Sequence, residues 1–321
     1  MATIEHKSAT GLSKPTTSPE VITVTPPVTP NPTSIAAHEL VSEMADIYST
    51  LRNLPSLAPS HQVNILLTRL VDLCIPSYSA EFTSYFFNIP SVKSLCTKLR
   101  PLCSEAEGEL ESYWAERMLH NLNSSKQQQL ANTILKTFPY HKNYIDLSRL
   151  ECSIISAFLP TPPKKIAFIG SGPLPLTSLC FLDRYPSAVV YNIDRDAVAL
   201  HTSQALCQKL GAVQMRFLCQ DVSVAEPASA DEDWANSEVV FLAALVGADT
   251  HAKLGILVSL SSKLRPGALV VVRSARGVRS VLYPVLELSD ELQASGFDVL
   301  AEVHPWTEVV NSVVVLRVRE R

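Results

Sequence analysis

From Lys164 to the C-terminus, short β-branched runs alternate with helical stretches, and the last two runs, Phe297–Val303 and Ser312–Val318, leave no room for a helix between them. Such alternation is the signature of βαβ units, which build a parallel sheet with helices on both faces. The final two runs can only pair antiparallel. Strands are predicted at 165–169, 188–193, 215–219, 239–243 and 268–272, ahead of that terminal pair.

Upstream of Pro160-Thr161-Pro162-Pro163, which reads as a stiff linker, the pattern is different. Between residues 34 and 158 apolar side chains recur at spacings of three and four, so this half is predicted to be a helical bundle. Its helices are expected at 35–54, 62–74, 92–99, 102–122, 126–136 and 144–158, punctuated by Pro55, Pro76, Pro90, Pro101 and Pro139. Residues 1–33 are rich in Thr, Ser and Pro without apolar periodicity and are predicted to be a disordered tail. The expected chain is α/β: tail, helical N-terminal domain to 160, then a Rossmann-like domain over 161–321. A mostly parallel sheet closed by an antiparallel hairpin resembles the methyltransferase type more than the dinucleotide dehydrogenase type.

A net charge of -4 offers no basic surplus for phosphates, so nucleic acid and anionic membranes are poor partners and a small molecule is favoured. The seven cysteines are odd in number and show no CxxC spacing, which predicts free thiols in a reducing compartment. The scattered histidines give no metal-ligand spacing, and no metal is expected. With neither a secretion signal nor an apolar run of spanning length, a soluble cytoplasmic protein is expected. A homo-oligomer stays open.

The first predicted strand leads into Gly170-Ser171-Gly172-Pro173-Leu174-Pro175 and then a helix. Glycines permit the tight turn and let a ligand approach the backbone, while the helix start presents free N–H groups. Pro175 stands where the dinucleotide fingerprint wants a third small residue, which counts against NAD. Asp194 ends the second strand about twenty residues on, the spacing at which an acid meets ribose hydroxyls. Asp221, after the third strand, resembles the acid that accepts from the adenine amine in S-adenosylmethionine enzymes; an Asp there also caps a turn in its own right. After the fourth strand, Ala243-Ala244-Leu245 replaces the polar Asn/Asp-Pro-Pro motif of many amine methyltransferases. Ala243 and Leu245 could pack against adenine or the thioether, or simply belong to a buried strand.

The run from Ile166 to Ser178 resembles the nicotianamine synthase family, as do Val240-Phe241-Leu242-Ala243-Ala244-Leu245-Val246-Gly247, Arg273-Ser274-Ala275, Leu282-Tyr283-Pro284, His304-Pro305 and Val310-Asn311-Ser312-Val313-Val314. In the helical half, Leu102-Cys103-Ser104-Glu105-Ala106-Glu107-Gly108 and Phe138-Pro139-Tyr140 match as well. The resemblance implies an enzyme that joins aminocarboxypropyl groups of S-adenosylmethionine, nitrogen to carbon, and releases methylthioadenosine, with S-adenosylmethionine as substrate and no other cofactor. The Pro/Thr-rich N-terminus and an acidic stretch at 226–232 depart from the plant pattern. A small-molecule methyltransferase and a non-catalytic nucleotide sensor are the alternatives.

In that chemistry an α-ammonium must lose a proton before its nitrogen can attack. The helix from Leu102 carries Glu105, Glu107, Glu109, Glu111 and Glu116. At about 100° per residue, Glu105, Glu109 and Glu116 share a polar face, whereas Glu107 falls among Cys103, Leu110, Trp114 and Met118. Desolvation there would raise its pKa towards the range of a general base, so Glu107 is the expected catalytic base, unless an Arg pairs with it. Tyr140 could orient the amine or relay its proton; it could equally be an aromatic plug. Arg273 and Arg276, expected just past the fifth strand, could each clamp a substrate carboxylate, with a surface arginine the simpler account of Arg276.

Overall fold

The structure, a computed structural model, describes residues 31–124, 130–224 and 233–320. Six helices come first: α1 (Pro32–Arg52), α2 (His61–Cys74), α3 (Ala80–Asn88), α4 (Pro90–Ser124), α5 (Leu130–Leu135) and α6 (His141–Ser156). The first begins at Pro32 because Asn31 accepts from the Ser34 N–H and proline's fixed φ suits a first turn. Pro32 and Thr33, expected in the tail, are therefore helical; residues 1–30 and 226–232 lie outside the described residues. Ser60 and Ser79 cap α2 and α3 in the same way.

Two helices expected on either side of Pro101 are one, α4. An interior proline costs about 3 kcal/mol. Leu99 and Leu102 are both buried beside it, each offsetting about 1.5–3 kcal/mol, and Arg100 donates to the Ser280 carbonyl at 2.7 and 3.1 Å. Met44, Leu51, Leu70, Phe86 and Leu99 centre the helical core, which also takes in Val278, Val281, Leu282 and Val310 from the second half of the chain. Arg279 fastens the halves together: its guanidinium donates to the carbonyls of Ile75, Pro305, Thr307 and Val309.

The second half runs β1 (Lys165–Ile169), α7 (Leu176–Arg184), β2 (Val189–Asp194), α8 (Ala197–Leu210), β3 (Met215–Cys219), β4 (Val239–Leu242), α9 (Thr250–Lys263), β5 (Leu269–Ser274), α10 (Asp290–Ala294), β6 (Phe297–Val303) and β7 (Ser312–Val318). The strand order is β3-β2-β1-β4-β5-β7-β6. All neighbours are parallel except β7, which pairs antiparallel with both β5 and β6. Apolar side chains of α9 and α10 cover one face, through Leu257, Leu260 and Leu292. The other face is covered by α6, α7 and α8, through Ile155, Phe181 and Cys207. The order reverses between β1 and β4, and a crevice opens at the carboxyl ends of strands at such a point. No helix of the described residues is long and apolar enough to cross a membrane.

Candidate active site

At the end of β1 the Gly170 and Ser171 N–H groups bond the Ile193 carbonyl, folding the chain back across the top of β2. Gly170 has φ +78°, and a Cβ there would collide with Val246 and lie 3.1 Å from the Ala243 Cβ. Gly172 has φ +62°, and a Cβ there would lie 2.7 Å from Glu111 Oε2. Only glycine fits either place. Asp194 accepts the Gly172 N–H at 2.9 Å and the Asp196 N–H at 3.0 Å. It thus holds the glycine turn and keeps lone pairs for a ligand, since a carboxylate offers about four acceptor directions. Ser171 is buried, and its Oγ has no protein partner, a state that polar atoms rarely occupy unless a ligand or water satisfies them. The first turn of α7 has no side-chain cap, so its N–H groups face the same end of the sheet.

The acidic partner of this turn comes from α4. Glu107 and Glu111 are four residues apart and therefore share one face of the helix. Both are deeply set and half-buried. Tyr283, beyond β5, donates to Glu107 Oε2 at 3.1 Å, and Tyr144, in the first turn of α6, donates to Glu111 Oε1. Desolvation pushes the pKa of Glu107 up, as its apolar neighbours imply. Desolvation, and then the charge of Glu107, raise Glu111 to about 8. The hydroxyls of Tyr144 and Tyr283 are pushed well above their ordinary range, chiefly by burial. Glu105 and Glu109 are exposed, as the helical-face reasoning has them.

Two expectations need correction, those for Arg273 and Tyr140. Arg273 is the penultimate residue of β5, and its fork is spent internally: Nε and one Nη bond the two oxygens of Glu151 at 2.8 and 3.0 Å, and the same Nη bonds Thr177 Oγ1 at 3.1 Å. The guanidinium lies over the Phe168 ring, 5.2 Å from its centroid. Along β5 the side chains of Leu269, Val271 and Arg273 alternate onto the face covered by α6, which aims the arginine at Glu151 rather than outward. Tyr140 precedes α6 and packs edge-on against Phe138; Tyr144, one helical turn later, is the residue of this segment that reaches Glu111. Asp221 is exposed, and its Oδ1 accepts from the Ser223 N–H and hydroxyl at 2.9 and 2.5 Å, the turn cap that an Asp supplies there. Ala243 and Leu245 are half-buried at the end of β4, with the Ala243 N–H on the Ile169 carbonyl. Arg276 is exposed.

Glu111, Tyr144 and Tyr283 escaped the sequence reading. The four-residue step from Glu107 to Glu111 and from Tyr140 to Tyr144 was the available signal for two of them. Tyr283 is separated from Glu107 by 176 residues and only the fold joins them.

A desolvated carboxylate pair thus stands against the glycine turn that ends β1. The model of the nicotianamine synthase protein family matches residues 33–321. Nicotianamine synthase 2 of Oryza sativa subsp. japonica is 38% identical over 284 residues, which cover 87% of this chain and 82% of that one. Nicotianamine synthase of Solanum lycopersicum is 37% identical over 282 residues, 88% of this chain and 84% of its own. Among solved structures, MtNAS in complex with MTA and tNA superposes with a TM-score of 0.72 at 17% identity, over 89% of this chain and 99% of that one. A glutamate-to-glutamine mutant of MtNAS in complex with S-adenosylmethionine gives a TM-score of 0.68 at 18% identity, over 87% and 98%; at such identities the likeness speaks for the fold. By the family match and the identity to its relatives, the chain belongs to the nicotianamine synthase family.

Proposed function

We propose that this protein transfers 3-amino-3-carboxypropyl groups from S-adenosylmethionine to the α-amine of an amino-acid acceptor and releases methylthioadenosine, as a step in making nicotianamine or a related chelator. The observation that carries the reading is the Glu107–Glu111 pair, each member bonded by a tyrosine, with Glu111 at the glycine turn.

The turn 170–172 receives the donor, with Asp194 on the ribose hydroxyls and Ser171 Oγ supplying a further bond. Ala243 and Leu245 flank the adenine or thioether, and the second oxygen of Asp221 takes the adenine amine. Three carbons of the sulfonium can be attacked, so orientation alone selects the aminocarboxypropyl one. The acceptor's ammonium sits between the two carboxylates. Glu111, raised to about 8, lies far closer to an α-ammonium than an ordinary carboxylate does and takes its proton at correspondingly lower cost. The freed nitrogen attacks the γ-carbon, the N–C bond forms, the C–S bond breaks, and its electron pair stays on sulfur as the neutral thioether of methylthioadenosine. Glu111 then releases its proton to water. The free thiols favour a reducing compartment such as the cytoplasm.

Incubation with S-adenosylmethionine alone tests the assignment: methylthioadenosine is expected to accumulate, whereas S-adenosylhomocysteine would mark a methyltransferase. Two variants refine it. Asp194→Ala is expected to bind the donor roughly tenfold or more weakly, by loss of hydrogen bonds to a charged group, while remaining folded; unchanged affinity in a calorimetric titration would remove Asp194 from the site. Deleting residues 1–30, which spares the Asn31 cap of α1, is expected to leave turnover intact, because that segment lacks the apolar residues to join a core. A large fall in the activity of the soluble truncation would contradict this.

A further inference from the structure

Lys253 lies in the first turn of α9 and is completely buried. Its Nζ donates to the carbonyls of Val246 at 2.6 Å, Ala244 at 2.9 Å and Ala243 at 3.4 Å. An ammonium carries three donors, and burying it is unfavourable unless they are bonded; here all three point into the single turn that follows β4. The helix itself does not need this arrangement, for Asp249 caps α9 by accepting the Ala252 N–H at 2.8 Å. Nor does packing require it, since Ile256, Leu257 and Leu260 supply the buried apolar face of α9.

What the turn does is press on the nucleotide-type loop. Val246 occupies the space where Gly170 would have a Cβ, the Ala243 Cβ stands 3.1 Å from the same point, and the Ala243 N–H bonds the end of β1. We propose that Lys253 is a positioning residue: its ammonium gathers the carbonyls of the turn 243–246 so that Ala243 and Val246 hold the glycine turn in the shape that receives the adenosine part of the donor. The proposal rests on the reading of that turn as the donor site.

Burial lowers the pKa of Lys253 to about 7, so the clamp is charged below neutrality and loses a donor and its charge above it. Asp249 and His251 stand on the same turn of α9, Glu287 lies with His251 in the neighbouring surface crevice, and Glu111 lies across the glycine turn. Among the described residues none of these forms an ion pair with Lys253. Glu111 titrates in a similar range, so the test must separate the two.

Methylthioadenosine, which has no group titrating near neutrality, is the probe. Its affinity for the wild type, Lys253→Met and Lys253→Arg would be measured calorimetrically at about pH 6 and about pH 8.5, either side of the lysine's titration. Wild-type affinity is expected to fall on the order of tenfold between the two, a usual size for coupling between sites. Lys253→Met, folded by circular dichroism, is expected to bind weakly at both pH values and to raise the KM for the donor with little change in kcat. The guanidinium of Lys253→Arg stays charged and is expected to restore binding and abolish the pH dependence; a dependence due to Glu111 would persist there and overturn the proposal. So would a folded Met variant that binds like the wild type at the lower pH. Should the Met variant fail to fold, the wild type decides, because a flat affinity across the two pH values overturns the proposal. A wild type that binds methylthioadenosine at neither pH would overturn the donor-site reading, and this proposal with it.

Discussion

Glu111→Gln is expected to yield a folded protein that binds the donor but releases methylthioadenosine more slowly by a factor of about 10²–10⁴, the usual loss when a general base is removed. The amide keeps the shape of the carboxylate and its bond to Tyr144 but accepts no proton at neutral pH. The wild-type rate should climb with pH through about 8, as Glu111 loses its own proton. Glu107→Gln is expected to fail by another route, since the ammonium loses one of its two carboxylates. Removing that neighbouring charge also lets the pKa of Glu111 fall, so the residual activity should rise at lower pH than in the wild type. Glu109→Gln, on the exposed face, should remain active. A Glu111→Gln enzyme with full activity beside a dead Glu107→Gln enzyme would make Glu107 the base by itself.

The same variant carries a stability signature. The folded pKa of Glu111, about 8, is raised above its ordinary 4.5. Its contribution to stability is therefore fully present below about 4.5 and is lost as pH rises through about 8. At pH 8 the wild type bears the cost of ionising a desolvated carboxylate that the Gln variant lacks. Discounted for the partial exposure of the side chain, the difference is on the order of 1–2 kcal/mol, or a rise in Tm of a few degrees for Glu111→Gln at pH 8 that shrinks towards pH 5. A variant that is less active and more stable is the mark of a site whose charge serves chemistry rather than folding.

The second large effect concerns Arg273. Glu151 is completely buried and Arg273 nearly so, and each is the other's bidentate partner. Arg273→Met is expected to destabilise the fold by about 3–5 kcal/mol, because it strands a carboxylate in the interior. Pairing it with Glu151→Leu should recover much of that loss, since removing both charges leaves neither uncompensated. Chemical unfolding of the single and double variants measures this. If Arg273→Met unfolds like the wild type and instead raises the KM for the acceptor, the guanidinium clamps substrate after all.

The sheet was legible because its strands are short, β-branched and spaced by helices, and because Phe297–Val303 and Ser312–Val318 stand too close together to be anything but antiparallel neighbours. What was not legible came from packing between distant segments. Pro101 reads as a break until the burial of Leu99 and Leu102 is known. Helix α3, with its run Tyr85-Phe86-Phe87 between Pro76 and Pro90, has no long apolar period to announce it, yet Phe86 is fully buried. For the site, the apolar neighbours of Glu107 on its helix announced that its carboxyl is desolvated, but helical periodicity left Glu111 unassigned, and only the fold sets it against Gly172. Arg273 was aimed the wrong way because its place in the alternation of β5, not its nearness to the strand end, decides its direction.

Which carbon–sulfur bond breaks is the sharpest question for this site. S-adenosylmethionine labelled differently on its methyl carbon and on its aminocarboxypropyl carbons, given to the enzyme with an excess of unlabelled amine acceptor, answers it in one mass-spectrometric measurement. The account predicts that the aminocarboxypropyl label moves to nitrogen while the methyl label leaves on methylthioadenosine; a methyl label on the acceptor, with the aminocarboxypropyl label retained in S-adenosylhomocysteine, would contradict it.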